Sequence, residues 1–123
     1  MQSMGSPLHI FSAHTPGHRV TLPDGRHLGY AEFGMPDGQP LFLFHGLPGS
    51  RLFRHPDDDL TSSAGVRLIT VDRPGFGLSD FQHGRRLLGW PDDIAFLAST
   101  LDIDRFAVLG FAAGAPYALA CAY

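Results

Sequence analysis

Three largely apolar runs of strand length, each followed by a glycine-rich stretch, limit the folds open to this chain more than any other feature. They are residues 40–44 (PLFLF), 66–72 (VRLITVD) and 105–110 (RFAVLG). Strands without alternating apolar and polar residues are typically buried on both faces, as in parallel sheets. The intervening segments are long enough for the crossovers that parallel strands require. The pattern predicts an α/β fold.

An antiparallel edge is predicted ahead of these strands. Residues 19–34 alternate apolar and polar side chains on both sides of Pro23-Asp24-Gly25, a tripeptide typical of turns, so we expect a hairpin. Residues 35–39 predict a second turn. Residues 1–18 lack periodicity and are rich in Ser, Pro, His and Gly, so we expect an N-terminal arm before a single core domain at 19–123.

Two helices are predicted between and after the later strands. Residues 90–103 place Pro91 at the first helical position and Asp92 and Asp93 in the first turn, where the helix dipole favours carboxylates. Residues 116–123 are rich in alanine and predict a second helix. The crossover at 51–65 is polar, so we expect a surface segment with a short helix.

Composition excludes several classes of function. The formal net charge is -3 and the nine basic residues are dispersed, so we expect neither nucleic acid nor a membrane as partner. The single cysteine, Cys121, excludes an internal disulfide and suits a cytoplasmic protein. We expect no metal and no cofactor, because His14 and His18 are separated by Pro16-Gly17 and lack the helical spacing that would direct both to one ion.

Residues 110–114 (GFAAG) predict a very tight turn between a buried strand and a helix. The two glycines flank position 112 symmetrically, as crowding around a strained tip would require. The helix that follows directs its first amides to the space above the tip, so the N–H of Ala113 is placed to bind an oxyanion. The loop HGLPGS at 45–50 offers a second donor, the N–H of Leu47.

In their order along the chain, HGLPGS, DRPGFGLSD and GFAAG resemble the oxyanion loop, the following glycine-rich loop and the nucleophile elbow of the α/β-hydrolases. The resemblance extends from about residue 19 to the end and implies the N-terminal part of an α/β-hydrolase sheet. It gives roles to eight residues: Ala112 at the nucleophile position, Leu47 and Ala113 as oxyanion-hole amides, Gly46 and Phe111 as substrate contacts, and His45, Gly110 and Gly114 as structural residues.

The sequence departs from this family at two points. Ala112 carries a methyl group that cannot attack a carbonyl, and no acid and histidine follow the elbow as the family's chain order requires. We therefore expect a two-chain, cleaved hydrolase acting on a small molecule. A complementary C-terminal chain of the same protein would supply the acid and the histidine and would cover strand 105–110. We favour Ala112 as a replacement for serine, although some relatives use aspartate.

The alternatives come from other classes of protein. One is a naturally non-catalytic module of the same fold that binds or senses a small ligand, with Ala112 native. A dinucleotide-binding turn at 109–116 is disfavoured because Pro116 stands where a glycine is needed. The loop at 72–80 lacks the lysine of a phosphate-binding loop. For Asp72 and Arg73 we expect local hydrogen bonds, and the alternative is that they shape the pocket.

Overall fold

The computed structural model describes residues 17–47, 49–82, 84 and 87–122, which form a five-stranded sheet with helices packed against it. Of the predicted arm at 1–18, residues 1–16 lie outside the described residues, and His18 already belongs to the first strand. The strands follow the spatial order β1-β2-β4-β3-β5. Their bounds are His18–Thr21 (β1), His27–Gly34 (β2), Gln39–Phe44 (β3), Val66–Val71 (β4) and Ala107–Gly110 (β5).

The predicted hairpin is confirmed as strands β1 and β2, which pair antiparallel with His18 opposite Tyr30 and Thr21 opposite His27. The turn closes through the Gly25 N–H, which donates to the Leu22 carbonyl at 2.9 Å. Strand β2 also pairs antiparallel with β4, so the hairpin is joined directly to the parallel part of the sheet.

Strands β3, β4 and β5 form the parallel part of the sheet, with β3 between the other two. Phe42, Leu43 and Phe44 at the end of β3 are all buried, as the continuous apolar pattern predicts for a strand covered on both faces. Because the carboxyl ends of parallel strands meet at one edge of the sheet, the loops after β3, β4 and β5 converge there.

The helices are α1 (Asp58–Ser63), α2 (Trp90–Thr100) and α3 (Ala115–Ala122). Asp57 caps α1 by accepting the backbone N–H of Asp59 at 3.0 Å. Trp90, at the start of α2, packs edge-on against Phe44 with ring centroids 5.3 Å apart, and against Tyr117 of α3 at 5.4 Å. This cluster of three rings, Phe44, Trp90 and Tyr117, packs both helices against β3.

Helix α2 ends three residues earlier than predicted. The N–H of Ile103 donates to the Ala98 carbonyl at 2.8 Å and that of Asp102 to Ser99 at 3.1 Å. This is the Schellman pattern, and it places Asp102 at φ +60°, in the left-handed region. Glycine is the usual residue there, so the aspartate concealed the helix end from sequence analysis.

Strand β5 was predicted over 105–110 as a buried strand, and the structure corrects both points. It begins at Ala107, and its Leu109 side chain is 53% exposed. Within the described residues β5 pairs only with β3, so its outer edge is uncovered, although Val108 packs partly buried against the core. Phe106 and Leu119 extend this exposed apolar surface, Leu119 being 72% exposed.

Cys121 lies half-buried against the core, and burial raises the pKa of its thiol to about 11. Within the described residues, no helix combines the length and apolar character that crossing a bilayer demands.

Replacing Asp102 with glycine should stabilise the chain by about 0.5–1 kcal/mol, because glycine adopts the left-handed conformation without the steric cost borne by other residues. Urea unfolding measures the change. The matched control is Asp104→Gly, an exposed aspartate two residues later whose φ is not positive. Equal effects of the two substitutions would contradict the assignment of the helix end.

Candidate active site

The turn after β5 places Ala112 at the tip of a strained backbone. Ala112 has φ +51°, and in the described residues it shares a positive φ with only one other non-glycine residue, Asp102. The N–H of Phe111 donates to the Phe44 carbonyl at 3.1 Å, and the N–H of Gly114 donates back to Phe111 at 2.8 Å. The chain therefore leaves β5, reverses at Ala112 and enters α3 within four residues.

Gly110 and Gly114 permit this reversal because no side chain would fit at either position. A Cβ atom on Gly110 would lie 2.6 Å from the Cα of Ala115, and one on Gly114 would lie 2.7 Å from the His45 carbonyl oxygen. Both distances are well below van der Waals contact. Crowding around the tip therefore explains the two flanking glycines in the sequence.

The loop after β3 lies directly against the tip. A Cβ on Gly46 would be 3.0 Å from the Phe111 carbonyl oxygen and 3.3 Å from the Ala112 Cβ. The structure thus brings Gly46 together with Phe111 and Ala112, although more than 60 residues of chain separate the two segments. Leu47 follows Gly46 with its side chain 61% exposed.

Neither of the two predicted oxyanion-hole amides is used elsewhere in the described fold. The backbone N–H groups of Leu47 and Ala113 donate to no acceptor among the described residues. Backbone donors without a partner normally face solvent or a ligand. Both belong to segments that meet at Ala112.

His45 is buried and both of its ring nitrogens are occupied. Its Nε2 accepts the Arg73 backbone N–H at 3.1 Å, so the neutral ring carries its proton on Nδ1, which donates to the Gly46 carbonyl at 2.8 Å. Burial lowers the pKa of His45, and the positive charge of Arg73 lowers it further. These contacts suit a residue that shapes the loop and leave no nitrogen for proton transfer.

Asp72 joins three segments beneath the site. Its buried carboxylate accepts the Arg51 backbone N–H, the Arg51 Nη1 at 3.1 Å and the Leu78 backbone N–H at 2.8 Å. Ser79 donates to the Asp72 carbonyl at 2.7 Å and accepts the Gly29 N–H at 2.8 Å. This network fixes the far end of the HGLPGS loop relative to the sheet.

Arg73 has the role that sequence analysis ranked second, that of shaping the pocket. Local hydrogen bonds were expected, but its side chain reaches the carbonyl of Gly46 in one loop and that of Ala113 in the other. The signal was present in the sequence: a charged pair follows the buried strand β4 directly and precedes a glycine-rich turn. Sequence spacing alone does not identify partners 27 and 40 residues away.

Apolar side chains surround the tip. The rings of Phe53 and Phe111 lie 4.8 Å apart, and Phe111 is 56% exposed. Together with the exposed Leu47, they give the space beside Ala112 an apolar wall. In the described residues no group of three or more His, Cys, Asp or Glu side chains is arranged to bind a metal ion.

Comparisons with known proteins identify the fold family to which this sheet belongs. A family model described as the alpha/beta hydrolase fold matches residues 39–123, which is more than half of the chain. The chain belongs to this family.

Three similar proteins illustrate the range of this α/β-hydrolase family. A non-heme chloroperoxidase of Streptomyces lividans is 32% identical over 77% of the chain and 35% of its own length. An epoxide hydrolase from an endophytic Streptomyces is 28% identical with a TM-score of 0.73, covering 86% of this chain and 32% of that one. An esterase from Exiguobacterium antarcticum is 29% identical with a TM-score of 0.70, covering 85% and 39%.

The chain spans about a third of the length of the curated relatives that it matches.

Replacing Ala112 with glycine should stabilise the chain by about 1 kcal/mol, because a left-handed φ is costly for alanine and free for glycine. Ala113→Gly is the matched control: Ala113 has no positive φ, so glycine there should destabilise by about 0.5–1 kcal/mol. Chemical denaturation of both variants gives the comparison. Destabilisation by both would mean that position 112 is not the strained tip.

Proposed function

We propose that this chain is the oxyanion-hole and elbow part of a hydrolase that transfers acyl groups from an ester, amide or related carbonyl substrate to water. The observation that carries the proposal is the strained Ala112, at φ +51°, with the Gly46 backbone against its methyl group. A left-handed alanine costs about 1–2 kcal/mol, and such strain is concentrated at functional sites.

With serine at position 112, the reaction proceeds in two steps. The serine oxygen attacks the carbonyl carbon while a histidine takes its proton, and the negative charge on the carbonyl oxygen is held by the Leu47 and Ala113 N–H groups. Collapse expels the leaving group, which receives the proton. Water then attacks the acyl-enzyme by the same route and releases the acid.

In this mechanism, Gly46 allows the substrate carbonyl to approach the oxyanion hole, and Phe111 contacts the acyl or leaving group. His45, Gly110 and Gly114 hold the two loops in place. A methyl group at position 112 supports neither step, so the chain with Ala112 is expected to bind substrate without turning it over.

We further propose that a C-terminal segment of the same protein supplies the acid and the catalytic histidine as a companion chain. Support comes from β5, whose outer edge is unpaired in the described residues and whose Leu109 is half exposed. An uncovered apolar edge invites pairing with another strand. The much greater length of the curated relatives is consistent with such a segment. We also propose a cytoplasmic location, with which the single, half-buried thiol of Cys121 is compatible.

A second candidate function is a non-catalytic module that binds a small apolar ligand. The observation in its favour is the combination of a methyl at the tip with the exposed Leu47, Phe53 and Phe111 around it. In this alternative Ala112 is native, and the strained turn serves the shape of the pocket alone.

Ala112→Ser, assayed with the companion segment present, separates the two functions. We expect p-nitrophenyl acetate and butyrate to give a burst of p-nitrophenol followed by turnover, while the chain with Ala112 gives neither. The matched control is Ala113→Ser, which places the same hydroxyl one residue away from the tip and should be inactive. If Ala112→Ser shows no burst and no turnover although the esters bind, the binding module is the correct function.

A further inference from the structure

We propose that Arg73 is the positioning residue of the oxyanion hole: its guanidinium orients the Leu47 amide, ties the oxyanion loop to the elbow and adds positive charge beneath the site. This inference rests on the proposed function. It concerns a residue outside the machinery assigned above.

The contacts of Arg73 span the two halves of the site. Its Nη1 donates to the Ala113 carbonyl at 3.3 Å, and its Nη2 lies 3.5 Å from the Gly46 carbonyl oxygen. The second distance is long for a hydrogen bond, so its effect is mainly that of a charge near a carbonyl dipole. One planar guanidinium thus faces an acceptor in each loop.

The Gly46 carbonyl belongs to the same peptide group as the Leu47 N–H. In a trans peptide these two bonds point in opposite directions. Because His45 and Arg73 both lie on the carbonyl side, the Leu47 N–H is turned away from them. Donors on the carbonyl oxygen also polarise the peptide group, which strengthens its N–H as a hydrogen-bond donor.

Arg73 carries its charge in a buried position. The residue is 4% exposed. Within the described residues its Nε has no hydrogen-bond partner and its side chain takes part in no ion pair. The carboxylate of the adjacent Asp72 is instead engaged by Arg51 and Leu78. The rings of Tyr117 and Phe76 lie 4.8 and 5.0 Å from the guanidinium carbon.

A buried cation without a carboxylate partner is costly to the resting fold and favours a negative charge arriving nearby. The oxyanion of the reaction is such a charge. Lysine at this position would keep the positive charge, but as a single point it cannot face two carbonyls in one plane. Glutamine would keep a donor and lose the charge.

Acetate, a carboxylate that resembles the acid product, is the probe for the test. It is titrated into the full chain with Ala112 while the amide resonances of Leu47 and Ala113 are followed by NMR. We expect both resonances to shift, Arg73→Gln to weaken the apparent affinity by about tenfold or more, and Arg73→Lys to restore part of it. The matched control is Arg67→Gln, at the opposite end of β4, where the guanidinium pairs with Glu32 at 2.7 Å. It should leave the affinity unchanged.

The proposal is overturned if the Arg73→Gln variant binds acetate with an affinity within about twofold of that of the Arg67→Gln variant. It is also overturned if acetate shifts neither amide resonance in the parent chain. Equal losses in Arg73→Lys and Arg73→Gln would show a purely structural role and also overturn it. If the Arg73→Gln variant fails to fold, the acetate affinities of the Arg73→Lys and Arg67→Lys variants are compared instead. We expect a severalfold loss of affinity in Arg73→Lys only.

A kinetic measurement distinguishes failure of this inference from failure of the proposed function. In the Ala112→Ser background with the companion segment present, Arg73→Lys should lower kcat by about 10–100-fold with little change in KM, because the hole acts in the transition state. Unchanged kcat overturns the role of Arg73. If the Ala112→Ser variant with Arg73 intact has no activity, the proposed function is wrong. The acetate titration still tests the role of Arg73 in that case.

Discussion

The close approach of the elbow backbone to the end of β3 is the constraint on which the rest of the structure depends. Gly114 lies against the carbonyl oxygens of Phe44 and His45, with no room for a side chain between them. This contact sets how near α3 comes to the sheet and so where Ala112 projects. It also brings the loop at Gly46 to the tip. A bulkier residue at position 114 would separate the two loops that form the site.

A polar network beneath this contact keeps the loops in register. Asp72 holds the distal part of the HGLPGS loop through Arg51, and His45 and Arg73 hold its proximal part through the Gly46 carbonyl. The network is buried, so each of its hydrogen bonds replaces one that water would otherwise make. Rigid support of this kind is what an oxyanion hole needs, since its donors must be in place before charge develops.

Sequence reasoning recovered the elements that local chemistry determines. The hairpin followed from Pro23-Asp24-Gly25, and the tip from the glycines at 110 and 114. It failed where distant parts of the chain decide the outcome. Asp102 ends α2 in a conformation usually left to glycine, β5 is exposed because only β3 pairs with it in the described residues, and the partners of Arg73 come from two other loops. None of these has a local signature.

The positions of two backbone nitrogens test the central claim most directly. In a crystal structure of the chain grown with a small carboxylate, the amide nitrogens of Leu47 and Ala113 should both lie about 2.7–3.1 Å from a single oxygen above the Ala112 methyl. Two amides directed to different points, with no oxygen shared between them, would contradict the existence of an oxyanion hole in this protein.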